Sequence, residues 1–282
     1  MLSFDPLILR KPGRSKPTAI LPAARRRKSA MPAAKRPPFK HQPRGLTILH
    51  EDRDIIVVEK PCGLLTMGTD RDKSRTVHTL LNEYVRKGDP RSRNRVYIVH
   101  RLDRDTSGIL ILAKSETAKM YLQEHWQDTD KRYLTIVHGL LTPKAGTISS
   151  YLTENSAFTV YSTPDSAQGK LSHTEYTVLK EAKGFSLLEI HLLTGRKHQI
   201  RVHLSEKGHP VVGDRKYGKS NDAHGTLALH ARSLSFTHPV SGKRLTFVTR
   251  IPDYFIRLVG SIESPVAALG GVNESTGSDL KE

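Results

Sequence analysis

Apolar residues in this 282-residue chain never run longer than a strand. Ile109–Ala113 and Ile55–Val58 are typical of its longest apolar stretches. No run of about 18 apolar residues exists, so no segment has the make-up of a membrane-spanning helix. A short, continuous, β-branched run such as "IIVV" reads as a strand that is buried rather than half-exposed. The chain must therefore fold around a sheet with covered central strands.

The rest of the pattern fills in that sheet. "LTILHEDRDIIVVEKP" is two apolar runs around an acidic turn, ended by Pro61 and Gly63. "VYIVHRLD", "GILILAK" and "KRYLTIVHG" read as strands, as do "TLALHARSLSFTHP" and "KRLTFVTRIP". "HTEYTVLKEAKGFSLLEIHLLTG" reads as a hairpin turning near Gly184. Helical spacing is rarer. Val77, Leu80, Leu81, Tyr84 and Val85 fall on one face of a helix closed by Gly88. Ser115 has the chemistry to cap a helix through "ETAKMYLQEHW". "RKHQIRVHLSEKG" reads as a third helix, with Ile200, Val202 or His203, and Leu204 inward and Gly208 at its end. Hairpins mixed with a few helices predict an α+β fold with a mixed, mostly antiparallel sheet.

Charge divides the chain into three parts. Residues 1–44 hold 12 Lys/Arg against one acid and are rich in Pro and Ala. Frequent prolines and sparse apolar groups predict a disordered basic arm. An Arg-rich, acid-poor arm also has the composition of a mitochondrial presequence, although its prolines spoil an amphipathic helix. Residues 45–260 form one expected domain, itself basic at +9. Residues 261–282 are a mildly acidic expected tail. The total of +17 favours a polyanion partner, nucleic acid first. A single cysteine, Cys62, excludes an internal disulfide framework and a cysteine-rich zinc site. With no secretory signal, the expected location is cytoplasmic.

Two stretches carry chemistry. "GDRKYGKS", Gly213–Ser220, fits the pattern of a nucleotide-phosphate loop. Such a loop needs a buried strand before it and a helix starting at its Lys-Ser. Here "EKGHPVV" precedes it and "NDAHGT" follows, so the nucleotide-hydrolase reading fails on both sides and no nucleotide cofactor is expected. "HRLDRDTSGIL", His100–Leu110, places two acids and three bases in a loop between buried strands. By its residues alone it is a solvated salt-bridged turn, a metal site of His100, Asp103 and Asp105, or a single catalytic carboxylate at Asp103. The spacing matches no standard metal-ligand set.

"HRLDRDTSGIL" also resembles the catalytic motif of the RluA-type pseudouridine synthases. "EKPCGLLTM", "KRYLTIVHG", "LLTGRKHQIRVHL", "HPVVGDRKYG" and "LALHARSLSFTHP" resemble further motifs of that family, in the same order, over about residues 46–256. The resemblance implies the pseudouridine synthase fold, with helices flanking the sheet and a central RNA-binding cleft. It implies isomerisation of uridine to pseudouridine in RNA, with neither metal nor other cofactor. Asp103 matches the catalytic aspartate, and Arg201 the buried arginine that pairs with it. A buried carboxylate needs such a cation to remain charged, and a bidentate guanidinium would also orient it. Tyr133 matches the active-site tyrosine, a ring to stack on uracil and a hydroxyl to move a proton. Leu229 matches an apolar residue lining the uracil pocket. The target uridine must leave its stack, and Arg101 is expected to occupy the gap or stack there, the alternative being a phosphate contact. Arg104, Arg196 and Lys197 are expected phosphate contacts, as are Lys216 and Lys219. His100, His198 and Gln199 are expected to be structural hydrogen-bonders.

Departures are few. Cys62 stands where a small residue is usual, and Lys197 where Thr is common. The expected partner is RNA, ribosomal or transfer, bound by a monomer with no membrane role. The rival reading is a non-catalytic RNA-binding or ribosome-assembly protein on the same scaffold.

Overall fold

The computed structural model describes residues 42, 43, 45–68, 75–219 and 222–262. All of the basic arm but residues 42 and 43, and almost all of the acidic tail, lie outside these residues. In chain order the elements are β1 (Thr47–Glu51), β2 (Ile55–Lys60), α1 (Val77–Arg86), β3 (Tyr97–Ile98), β4 (Ser107–Ala113) and α2 (Glu116–Glu124). Then follow β5 (Asp130–His138), β6 (Ala145–Glu154), β7 (Val160–Thr163), β8 (Lys170–Ala182) and β9 (Phe185–Leu192). The last are α3 (Gln199–Glu206), β10 (Leu229–Thr237), β11 (Arg244–Val248) and α4 (Asp253–Val259). No helix among the described residues is long and apolar enough to cross a membrane.

The strands join in one mixed sheet, ordered β1-β2-β4-β10-β5-β9-β8-β6-β7, with β3 added to β4 and β11 to β10. Every pairing between these strands is antiparallel except β4 with β10. The α+β reading and the mostly antiparallel sheet therefore hold.

The continuous apolar runs have the expected cause. In β2 and β4, Ile56, Val58, Leu110 and Leu112 pack with Val77, Leu81 and Val85 of α1. Their alternate neighbours Ile55, Val57, Ile109, Ile111 and Ala113 pack on the other face with Ala118 and Leu122 of α2. Both faces are covered, so neither parity can be polar. A third cluster covers β5 and β9 with Ile200 and Leu204 of α3 and Phe255 of α4. Each buried aliphatic side chain contributes about 1.5–3 kcal/mol.

Local signals act where they were expected. Ser115 accepts from the Ala118 amide and starts α2. Thr76 and Thr79 cap α1 reciprocally. Lys183 and Gly184, at φ 55° and 78°, form the β8–β9 turn. One boundary differs: α3 begins at Gln199, not at Arg196. His198 sits at φ 55°, and the Gln199 carboxamide oxygen accepts from the Thr194 hydroxyl and the Arg196 amide. That side chain closes the turn that helical backbone would otherwise continue. The β6–β7 hairpin and α4 are additions that the sequence reading did not assign.

Candidate active site

The β3–β4 connection runs through the charged loop and delivers Asp103 into a cleft of about 950 Å³. Gly108, the second residue of β4, explains how the loop is held there. Its φ is +111°, and a Cβ on it would lie 2.3 Å from the Ala231 carbonyl oxygen. Here β4 meets β10 in the parallel pairing, His230 with Ser107 and Ala231 with Gly108. The Ser107 hydroxyl and His230 Nδ1 bond at 2.8 Å across the same joint. On β10 this joint follows directly from Leu229, and Ala231 pairs with Tyr133 on β5. The close approach of β4 to β10 therefore brings Asp103, Tyr133 and Leu229 to one cleft.

Arg201 arrives from α3, with only 10 % of its side chain exposed. Its Nη1 donates to Asp103 Oδ2 at 3.1 Å. The bidentate partner, however, is Asp214, not Asp103. Arg201 Nε donates to Asp214 Oδ2 at 2.7 Å and Nη2 to Oδ1 at 2.8 Å. Asp214 is fully buried at its side chain, and its Oδ1 also accepts from the amides of Lys216 and Tyr217. Burial alone would lower the arginine's pKa; the bonds and charge of Asp214, then Asp103, outweigh it and raise it. Burial likewise works against the Asp214 carboxylate, and Arg201 with the two amides holds it below the ordinary range. Asp103 differs: 29 % of its side chain is exposed, facing the cleft rather than the core. A guanidinium fixed by one carboxylate thus presents a single N–H to a second, accessible one.

His198 and Tyr217 complete the surroundings. His198 Nδ1 and the Tyr217 hydroxyl bond at 2.8 Å, while Nε2 stands 3.7 Å from Asp103 Oδ2. Burial lowers the His198 pKa despite Asp103, so the ring is a neutral neighbour rather than an ion-pair partner. The Arg201 guanidinium lies 5.2 Å from the centre of the Tyr217 ring. Tyr133 is half-buried on the cleft wall, and burial followed by the Asp103 charge raises its pKa. Its phenol is neutral near pH 7.

The other anticipated residues also reach this cleft. Arg101, Arg104, Arg196 and Lys197 line it and are exposed. Lys197 is engaged within the protein, paired with Glu154 and 5.4 Å from the centre of the Phe158 ring. Lys216 is similarly held, donating to the Phe158 carbonyl at 2.6 Å. His100 stands apart from Asp103 and Asp105 in function: its Nε2 accepts from the Ile111 amide, and its ring stacks on Trp126 at 4.3 Å. It is not available as a metal ligand beside them. The ligand-like grouping among the described residues is Asp52, Asp54 and His238. Asp52 there bonds His50, His238 and two amides, tying the β1–β2 turn to the turn after β10.

"GDRKYGKS" is part of this site and not a phosphate loop. Residue 211 makes only an isolated bridge to Val137, and the described residues directly after the stretch, 222–228, are not helical. Gly213 and Gly218 are needed for packing, since added Cβ atoms would lie 2.1 Å from Thr226 O and 2.0 Å from Asp214 O. Lys60 lies in the quoted motif "EKPCGLLTM" but has no role in the sequence reading. It is 0 % exposed and donates to the carbonyls of Pro61, Leu64 and Arg104, stapling the "KPCGL" segment to the Asp103 loop. Burial pushes its pKa down to about 8 against the pull of Cys62, Asp105 and Asp103. A strand ending in Glu-Lys gave no sign of this; only the neighbouring Pro-x-Gly turn could have.

Comparison with known proteins adds an independent line. A family model described as RNA pseudouridylate synthase matches residues 54–206. An RNA pseudouridine synthase of Aquifex aeolicus, itself uncharacterised, is 37 % identical over 228 residues, covering 74 % of this chain and 71 % of that one. Ribosomal large subunit pseudouridine synthase D of Zymomonas mobilis is 36 % identical over 221 residues, covering 73 % and 69 %. The human protein RNA Pseudouridylate Synthase Domain Containing 1 superposes with a TM-score of 0.63 at 26 % identity, over 79 % of this chain and 92 % of that one. With the family match reaching from β2 through α3, and relatives of this identity spanning most of both chains, the protein belongs to the RNA pseudouridine synthases, enzymes that isomerise uridine within RNA.

Proposed function

We propose that this enzyme acts on specific uridines of structured RNA, large-subunit ribosomal RNA first and transfer RNA second, using Asp103 and no cofactor. The observation that carries the reading is the Asp103 carboxylate, open to the cleft and bonded once by a guanidinium that Asp214 immobilises. The name of the Zymomonas mobilis relative supports ribosomal RNA, and the basic charge of the folded part suits either RNA.

Isomerisation breaks the bond from uracil N1 to ribose C1′ and makes one from C5 to C1′. The C5 proton leaves and N1 gains one, so atoms and electrons balance without a redox partner. Asp103 is placed to attack C1′, to attack the base, or to take a proton, and all three uses need an accessible, oriented carboxylate. Tyr133, as a neutral phenol, stacks on the extruded base and exchanges a proton through its hydroxyl. Leu229 supplies an apolar wall for uracil. Arg101, beside the nucleophile and exposed, takes the place of the flipped base, at an unstacking cost of a few kcal/mol. Arg104, Arg196 and Lys197 meet phosphates, Lys197 by exchanging Glu154 for the RNA. The folded catalytic domain over residues 45–260 carries all these groups, and the basic arm adds non-specific attraction.

The test is to map pseudouridines in ribosomal and transfer RNA from a strain lacking the gene, then to restore it as wild type or Asp103→Asn. Loss of a ribosomal site, regained only with wild type, is expected. An unchanged map, or rescue by Asp103→Asn, sinks the reading.

A further inference from the structure

Phe158 has no part in the chemistry at Asp103. It occupies the tip of the β6–β7 hairpin, 69 % exposed, at φ 58°. A bulky side chain in the left-handed region carries strain, and strain at an exposed aromatic is not repaid by burial. The tip nevertheless holds this geometry tightly. The Asn155 side-chain oxygen accepts from the amides of Ala157 and Thr159. Asn155 also bonds through its backbone, its N–H to the Thr159 carbonyl and its carbonyl to the Phe158 N–H. Lys216 Nζ donates to the Phe158 carbonyl.

The ring's surroundings are cationic. Lys197 Nζ is 5.4 Å from its centre and Lys216 Nζ holds its carbonyl, and both lysines line the cleft together with Arg196 and Arg215. The hairpin is also locked to the reaction centre. Val160 N donates to the Tyr217 hydroxyl, which bonds His198, the neighbour of Asp103. Lys216, which holds the Phe158 carbonyl, donates its own amide to Asp214. Phe158 therefore stands in a fixed relation to the carboxylate.

An exposed aromatic ring on a fixed backbone, beside two lysines at the edge of a basic cleft, has the make-up of a stacking platform for an unpaired nucleic-acid base. We propose that Phe158 stacks on an unpaired base of the RNA outside the uracil pocket, so that the β6–β7 hairpin selects RNA that is single-stranded beside its target. The proposal rests on the RNA pseudouridine synthase reading. The source of selectivity is the π face and not apolarity as such.

The test uses the full chain and two fluorescein-labelled probes, a 12-nucleotide single-stranded RNA of mixed sequence and a 12-base-pair RNA duplex, followed by anisotropy. Phe158→Ala should weaken single-strand binding about thirtyfold, the middle of the range for one lost stack, and leave duplex binding within about twofold. Phe158→Trp should bind like wild type, with its added indole fluorescence quenched by the single strand. Phe158→Leu should bind like Phe158→Ala. Equal affinity of Phe158→Ala and wild type would overturn the proposal and point to a protein partner for the ring. So would recovery by Phe158→Leu, or an equal loss on the duplex. The enzyme reading is checked separately by the genetic map above: its failure leaves these binding ratios readable, and their failure leaves that map untouched.

Discussion

Asp214→Asn is the most informative single change at the site. It keeps the size of the side chain and removes its charge. Asp214 accepts four hydrogen bonds: Oδ2 from Arg201 Nε, and Oδ1 from Arg201 Nη2 and the amides of Lys216 and Tyr217. A carboxamide oxygen placed at Oδ1 keeps three of them. Its NH₂ then faces the Arg201 Nε–H, donor against donor. Flipped, it faces three donors, so the first orientation wins. Removing one partner of a buried ion pair costs about 3–5 kcal/mol. Asp103 remains as a counter-charge for Arg201, so the low end, about 3 kcal/mol, is expected in urea unfolding of the full chain. With its Nε–H left facing a donor, the guanidinium shifts toward Asp103 and moves it. A displacement of about 1 Å costs about 100-fold in turnover. Single-turnover pseudouridine formation, on an RNA that the wild type modifies, reads this with saturating enzyme. A variant within about 1 kcal/mol of wild type would refute the energetic argument. A destabilised variant that is folded at the assay temperature and turns over like wild type would refute the positioning role.

Two further outcomes follow from features away from Asp103. Gly108→Ala places a methyl 2.3 Å from the Ala231 oxygen at φ +111°, so it should cost more than about 3 kcal/mol; a urea midpoint near that of wild type would show that the β4–β10 joint can open. Acid should destabilise the protein through its buried histidines. Burial pushes the pKa of His203 down to about 4 and that of His230 to about 3, against 6.5 for the free side chain. Between about pH 6.5 and 4 the unfolded chain binds protons that the folded one refuses. Stability is therefore full above about pH 6.5 and falls as the pH drops, by about 1.4 kcal/mol per pH unit for each histidine. His203→Gln should remove one such contribution from the slope of urea stability against pH, and an unchanged slope would contradict the assignment.

What the sequence disclosed and what it hid divide along a physical line. Features with a local cause were legible: Ser115 at the start of α2, the Lys183–Gly184 turn, and the paired apolar faces of β2 and β4. Ordered motifs placed eight anticipated residues around one cleft. Hidden features depend on partners distant in sequence. β6 is half-exposed along most of its length and mixes Ser, Thr and Tyr with few aliphatics, so its strand signal is weak. Lys60 looks like a solvated strand end until three carbonyls converge on it. Asp214 sits in a stretch whose pattern pointed at nucleotides, and nothing in its spacing names Arg201 as its partner. Lys197 reads as a bare cation, yet Glu154 on the unassigned β6 meets it.

The parallel pairing of β4 with β10 bears on the order in which the enzyme can be made. Ser107 and His230 are separated by 123 positions, and Asp103 and Arg201 by 98. The Asp103 loop leaves the ribosome early, but the strand that pins it, and Leu229 at that strand's start, come more than 100 residues later. A nascent chain short of residue 229 holds the aspartate without a site around it. Such distant contacts form slowly. The Asp103 loop therefore stays unpinned until the chain has been made through β10.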